Sequence, residues 1–194
     1  KLIKKYMNKS YVSLVLMSGT SGDGVDASVI ISDGKYKFDV IYEKYEQYTK
    51  EIYDEFHELK EKILNSKDLL KYEKAIRDLE RKVTIFNTIV IEKVKNKLVK
   101  NEKEIDLVGF HGQTILHSPE EKISLQLGEG KLLSQITKTN VVFNFRANDL
   151  ENGGQGAPLA PIFHQLLVKQ KKIKLPITIL NLGGIANITS IDKD

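Results

Sequence analysis

The segment Leu16–Ile30 reads LMSGTSGDGVDASVI. Apolar residues enter and leave it, and between them stand Gly19, Gly22 and Gly24, with the hydroxyls of Thr20 and Ser21 and the aspartates Asp23 and Asp26 beside them. The flanks predict strands over Tyr11–Met17 and Val25–Ser32. Glycines permit positive φ and leave no side chain in the way, so successive backbone N–H groups can converge on one anion. Thr20 and Ser21 add hydroxyl donors. Asp23 and Asp26 would repel a phosphate unless a Mg²⁺, reached through water, lies between. A Walker A loop is excluded: no Gly-Lys-Ser/Thr occurs, and a strand rather than a helix follows. The same composition also fits a tight hairpin held by Asx-turns.

Outward from this turn, Asp33-Gly34 signals a second hairpin and Tyr36–Tyr42 alternates as a third strand, which gives a meander. Over Glu43–Asn65, the positions of Tyr45, Tyr48, Ile52, Phe56, Leu59 and Ile63 predict a helix. Ser66 and Asp68 fall where a second long helix would be capped, its face carried on to Val90. Ile105–Phe110 is apolar on both faces, as in a central parallel strand. Ile123–Leu127 reads as an edge strand, Lys131–Lys138 as a short helix and Asn140–Phe145 as a buried strand. Ala157–Lys172 reads as a helix with Pro158 and Pro161 in its first turns. Leu175–Ile191 then repeats the opening design of strand, glycine turn and strand. This order predicts a mixed sheet flanked by helices, a ribonuclease-H-like lobe over 11–174, followed by the first hairpin of a second lobe over 175–194. Residues 1–6, ahead of Met7, are expected to lie outside the folded unit.

The bulk composition narrows the function. The chain has 194 residues, 41% hydrophobic and 29% charged, which suits a globular domain with a real core. Net charge is +4, but lysines interleave with glutamates and only Arg77, Arg81 and Arg146 are arginines, so no nucleic-acid stripe is expected. No apolar run is long enough for a bilayer, and no secretory cleavage pattern precedes the glycine turn. Without cysteine there is neither a disulfide framework nor a thiolate metal site. These features predict a cytoplasmic protein.

Two further segments carry polar chemistry at expected strand ends. His111, Gln113 and Thr114 follow the parallel strand, where α/β sheets bind ligands. Arg146 and Asp149 follow the next strand and precede the glycine-rich GGQG of 153–156. Arg suits directional hydrogen bonds to a polar ligand.

Together MSGTSGDGVD, GFHGQTILHSP, the run from Leu125 to Leu167 and LNLGGIANIT resemble the anhydro-N-acetylmuramic acid kinase family. The resemblance covers the chain from Tyr11 onward, apart from the helical stretch 43–100. It implies a two-lobed actin/hexokinase-type fold. It also implies ATP- and Mg²⁺-dependent opening of the 1,6-anhydro ring with phosphorylation to N-acetylmuramic acid 6-phosphate, a step of bacterial cell-wall recycling. Residue by residue, it implies ATP-phosphate binding at Gly19, Thr20, Ser21, Gly22, Asp23, Gly24, Val25 and Asp26, with Asp23 and Asp26 on the metal through water. Gly183, Gly184 and Asn187 match a second phosphate hairpin, and His111, Gln113, Arg146 and Asp149 match positions around the sugar. Gly22 stands where the family usually has a bulky apolar residue, and Asn144 where it usually has Asp. The aspartate that activates the attacking water is expected in a segment beyond Asp194, with Asp149 the candidate inside the chain. A complementing C-terminal fragment, or self-association through the last hairpin, is the implied partner. A non-catalytic remnant that binds ligand or a complementing chain is the alternative.

Overall fold

A computed structural model describes residues 9–99 and 104–192, so the expectation for residues 1–6 lies outside the described residues. Strands β1 (Tyr11–Met17), β2 (Gly24–Ser32) and β3 (Phe38–Gln47) form the antiparallel meander. Strand β4 (Leu107–Phe110) pairs parallel to β1, and β7 (Asn140–Phe143) parallel to β4. The result is a mixed five-stranded sheet in the order β3-β2-β1-β4-β7. Alternation along the strands selects the core face: Leu14, Leu16, Val25, Ala27, Val29, Val108 and Phe110 are buried, while Val15 and Met17 on the opposite face are exposed.

Helices α1 (Lys50–Lys62), α2 (Ser66–Lys71) and α3 (Glu73–Val99) follow β3. Ile52, Phe56 and Leu59 of α1 and Leu79, Val83, Val90, Ile91 and Val94 of α3 join the same core cluster as the sheet. The expected single second helix is two elements: Asn65 and Asp68 form a capping box for α2, and α3 starts afresh after Tyr72.

The helix expected from Glu43 starts late. Residues 43–47 continue β3, paired with 24–28 of β2. Tyr45 and Tyr48 happen to fall at helical spacing, but the helix signal is Thr49, whose side chain accepts from the Ile52 amide at 3.3 Å.

The region after β4 also departs from expectation. Gln113–Ser118 is a strand, β5, paired with β6 (Ile123–Leu127) in a separate two-stranded sheet, so β6 is not an edge of the main sheet. Helix α4 (Gly130–Thr137) leads into β7, which ends at Phe143. Strand β7 is itself the edge, with Val142 45% and Phe143 38% exposed, rather than a buried strand. A short helix, α5 (Ala147–Glu151), was not foreshadowed by any periodic run. Helix α6 (Pro161–Lys171) begins at Pro161, leaving Pro158 outside it.

Strands β8 (Ile177–Asn181) and β9 (Asn187–Ile191) form a two-stranded sheet of their own. Helix α6 touches both sheets. The Gln170 side-chain amide exchanges two hydrogen bonds with the Phe38 backbone (3.0 and 2.7 Å), and the His164 ring meets the Thr189 hydroxyl at 2.8 Å.

Candidate functional site

The first glycine turn is built from three directions. The Gly22 amide donates to the Gly19 carbonyl at 3.2 Å, closing the turn. Gly22 has φ +64°, and a Cβ there would lie 2.1 Å from the buried Phe56 ring. The space that a side chain at this position would need is taken by Phe56 of α1. Below the turn, the Ser18 and Tyr48 hydroxyls are 3.0 Å apart, and burial pushes the Tyr48 phenol up to about 12. Two side chains then grip the turn's carbonyls: Gln113 Nε2 donates to Gly19 at 2.8 Å, and Lys60 Nζ donates to Thr20 at 2.6 Å.

The carboxylates of the turn differ. The Ser21 hydroxyl donates to Asp23 at 2.6 Å and holds its carboxyl below the usual range. Asp26, on β2, is pushed upward by burial first, then by the charges of Asp23 and Glu43. Both point to one negatively charged edge beside the turn. Among the described residues, no group of three or more His, Cys, Asp or Glu side chains could hold a metal ion. Two oxygen-donor carboxylates without a cage fit a Mg²⁺ that keeps its waters and takes phosphate ligands.

The second glycine turn touches the first. A Cβ on Gly184 would lie 2.4 Å from the Thr20 hydroxyl and 3.9 Å from the Ser21 amide nitrogen. Gly183 is beside it, and Asn187 opens β9 opposite Asn181.

His111, Arg146 and Asp149 form a third group. Arg146 donates from one guanidinium nitrogen to His111 Nε2 at 2.8 Å and from another to the Gly156 carbonyl at 2.7 Å. Because Nε2 accepts, Nδ1 carries the proton and donates to the Gly112 carbonyl at 2.8 Å. Burial, with the Arg146 charge opposing protonation, lowers the His111 pKa, so the ring is neutral. The Asp149 carboxylate accepts from the Gly156 amide at 2.7 Å. Arg146 and Asp149 thus fix both polar groups of Gly156, whose φ is +71°.

Beside this group is a cavity of ≈ 480 Å³, lined among others by His111, Ser124, Gln126, Asn144 and Glu151 with Phe110 and Phe143 as apolar walls. Asn144 adopts φ +60°, a left-handed conformation that Asn tolerates. Gln113 does not line the cavity. It is fully buried, and its side chain is spent on the glycine turn.

Sequence reasoning did not single out Lys60, Ser124, Gln126 or Glu151, and it read Phe56 only as part of a helix face. For Ser124 and Gln126 a signal existed, since polar residues two apart in ISLQL share one face of β6. Lys60 sits among alternating lysines and glutamates, where nothing distinguishes it from a solvated face.

The profile of the anhydro-N-acetylmuramic acid kinase family matches residues 10–194. The chain is 54% identical over 186 residues to the anhydro-N-acetylmuramic acid kinase of Pelagibacter ubique, covering 95% of this chain and 48% of that protein. It is 35% identical to the enzyme of that name from Brucella canis (92% and 48% covered) and 37% identical to that from Rhodopseudomonas palustris (91% and 48%). The chain spans about half the length of these relatives.

Proposed function

Because the chain belongs to the anhydro-N-acetylmuramic acid kinase family, we propose that it supplies one lobe of an ATP-dependent sugar kinase of the actin/hexokinase superfold. In this reading, 11–174 is the first lobe, with the strand order β3-β2-β1-β4-β7 of a ribonuclease-H-like sheet. Residues 175–194 open the second lobe. The reaction is opening of the 1,6-anhydro bond of anhydro-N-acetylmuramic acid with transfer of the ATP γ-phosphoryl group. Water adds to C1, the C1–O6 bond breaks, O6 takes the phosphoryl group, and ADP leaves. The product is N-acetylmuramic acid 6-phosphate.

The single observation that carries this reading is the meeting of two glycine turns from separate sheets, Thr20 against Gly184. The Thr20 hydroxyl and the Ser21 amide nitrogen face Gly184 there, a polar, glycine-lined approach that suits a chain of phosphates. Asp23 and Asp26 would hold Mg²⁺ through water, and that ion would supply charge neutralisation of the phosphates. The cavity beside His111 suits a sugar: polar groups of Ser124, Gln126, Asn144 and Glu151 against apolar walls. Arg146 and Asp149 do not line that cavity; Arg146 serves it through its bond to His111, Asp149 by holding Gly156 against Arg146, and Gln113 serves the phosphate turn.

In this reading the base that takes the proton from water is the aspartate that the family resemblance places beyond Asp194, and the 194-residue chain is expected to bind without turnover. Assay of ATP consumption with anhydro-N-acetylmuramic acid, and of Mg·ATP and sugar binding separately, tests this. Binding of both ligands without turnover supports the reading, and absence of either binding refutes it. Asp23→Ala and Asp26→Ala should weaken Mg·ATP and leave sugar binding intact.

A second reading, a non-catalytic remnant that docks a complementing chain or a second copy, is favoured by one observation. Leu180, Leu182, Ile185 and Ile188 of the terminal hairpin are each more than half exposed, Leu182 at 75%.

A further inference from the structure

The glycine turn carries no cation of its own. Its only charged residues nearby in sequence are Asp23 and Asp26. The helical stretch that the family motifs skip nevertheless places an ammonium on it, Lys60 of α1, at 2.6 Å from the Thr20 carbonyl. Lys60 is half-buried, its ammonium 5.3 Å from the centre of the Phe56 ring. Among the described residues no carboxylate lies within ion-pair distance of it.

The geometry of the peptide unit turns this contact into an orientation. In a planar trans peptide, C=O and N–H point in opposite directions. Gln113 draws the Gly19 carbonyl inward, so the Thr20 N–H points away from Gln113. Lys60 draws the Thr20 carbonyl inward, so the Ser21 N–H points away from Lys60. Neither amide donates to a protein acceptor among the described residues. The Ser21 nitrogen lies on the side of Gly184. Two successive amides are therefore turned outward by two side chains from different elements. Gln113 comes from the start of β5, and Lys60 from the third turn of α1.

We propose that Lys60 is a positioning residue for phosphate at this turn: it fixes the Thr20–Ser21 peptide so that the Ser21 amide faces the ligand, and it lowers the electrostatic cost of an anion beside Asp23. Gln113 performs the same orienting task for the preceding peptide. This rests on the reading of the turn as the nucleotide-phosphate site. The role belongs to a side chain outside every motif that carries the family resemblance, and α1 becomes part of the nucleotide site rather than a cover for the sheet alone.

The test uses the full chain with two probes, Mg·ATP and inorganic tripolyphosphate, followed by backbone amide resonances and by calorimetry. Lys60→Met removes the ammonium and keeps the stem's bulk; Lys60→Arg keeps a cationic donor. Lys60→Met is expected to weaken both probes by roughly tenfold, the scale of one hydrogen bond to a charged group, and to reduce the ligand-induced shift at Ser21. Lys60→Arg is expected to restore affinity to within about threefold. Both variants should melt close to the parent, since the side chain is half-exposed. Equal affinity of Lys60→Met and the parent overturns the positioning role while leaving the nucleotide site intact. So does a Lys60→Arg variant as weak as Lys60→Met. Failure of the parent chain to bind either probe overturns the nucleotide reading itself, and the positioning role with it.

Discussion

Gln113 Nε2 reaches across from the start of β5 to donate to the Gly19 carbonyl at 2.8 Å, joining the segment beside the cavity to the glycine turn between β1 and β2. Gln113 is fully buried, and its Oε1 has no partner. A buried amide that satisfies only one of its groups is a costly residue to keep for packing alone. Its value is the connection, because Gly112 next to it lies between Gln113 and His111, the residue Arg146 holds.

Gln113→Met keeps the length and apolar stem, loses the bond to Gly19 and also removes the unsatisfied Oε1. The two effects oppose each other, so the net stability loss should be only about 1 kcal/mol. The local effect should be larger: amides of residues 19–22 should exchange with solvent markedly faster. Denaturant unfolding together with hydrogen exchange checks both. Unchanged protection in the turn would show that Gln113 is a filler of the core and not a tether.

The His111 ring gives a pH dependence with a fixed sign. Its pKa is lowered from 6.5 by burial and then by Arg146, against a raising contribution from the bond to Gly112. The unfolded chain therefore binds the proton more readily than the folded one. Its contribution to stability is fully present above about pH 6.5 and is lost as pH falls below that value toward the depressed folded pKa. His117, also lowered by burial, adds in the same direction. Unfolding free energies measured from pH 7.5 to 5.5 should fall, and His111→Gln should flatten part of that fall. Identical pH slopes for parent and variant would mean that folding leaves the proton affinity of the ring unchanged, and the Nε2 acceptor role for Arg146 would then be wrong.

Gly22 and Phe56 are coupled by volume. Gly22→Ala must place a Cβ 2.1 Å from the Phe56 ring in a left-handed backbone, and should cost about 2–4 kcal/mol. Phe56→Leu makes a cavity and should cost about 1–3 kcal/mol by itself. The double variant should be less destabilised than the sum, because the smaller side chain yields room for the Cβ. Chemical denaturation of the four proteins measures the coupling. Strict additivity would mean that the backbone conformation at Gly22, not Phe56, sets the requirement for glycine.

The legibility of the chain followed its physics. The meander and the central β4 were readable because each strand must bury one or both faces, and Leu14, Leu16, Val108 and Phe110 declare that in the sequence. The turn was readable because glycine is required at two of its positions, Gly22 at φ +64° and Gly24 against the Glu46 carbonyl. The end of β3 was not, since Tyr45 and Tyr48 fit two periods and register with β2 decided between them. Strand β5 was hidden because residues 113–118 pair only with their own hairpin partner β6, and His117 and Ser118 dilute the pattern. At the site, the motifs drew attention to His111, Arg146 and Asp149, which do meet through Gly156 and each other. What the sequence could not express is the inward role of Gln113 and the arrival of Lys60, because both depend on contacts 94 and 40 residues apart in the chain.

The terminal hairpin should govern the solution behaviour of the chain. Strands β8 and β9 pair with each other and with no strand of the five-stranded sheet. Leu180 (56%), Leu182 (75%), Ile185 (67%) and Ile188 (62%) form an exposed apolar group, and both outer edges of this two-stranded sheet lack strand partners among the described residues. Such a surface is prone to pairing. Among the described residues one side-chain hydrogen bond, His164–Thr189, ties it to the remainder, beside the approach of Gly184 to Thr20. Helix α6, by contrast, is held independently through Gln170 and by Phe163 against Phe38 at 4.9 Å between rings. Truncation after Lys174 should therefore leave the main sheet and α6 folded, with a melting point lowered by no more than a few degrees. The parent chain should self-associate at micromolar concentration, and the truncated chain should be monomeric by light scattering. Replacing Leu182 and Ile188 with Ser should have the same effect on association without truncation. A monomeric parent would remove the hairpin as an association surface. A truncated chain that unfolds would show that the hairpin completes the first lobe and that a boundary at residue 174 is misplaced.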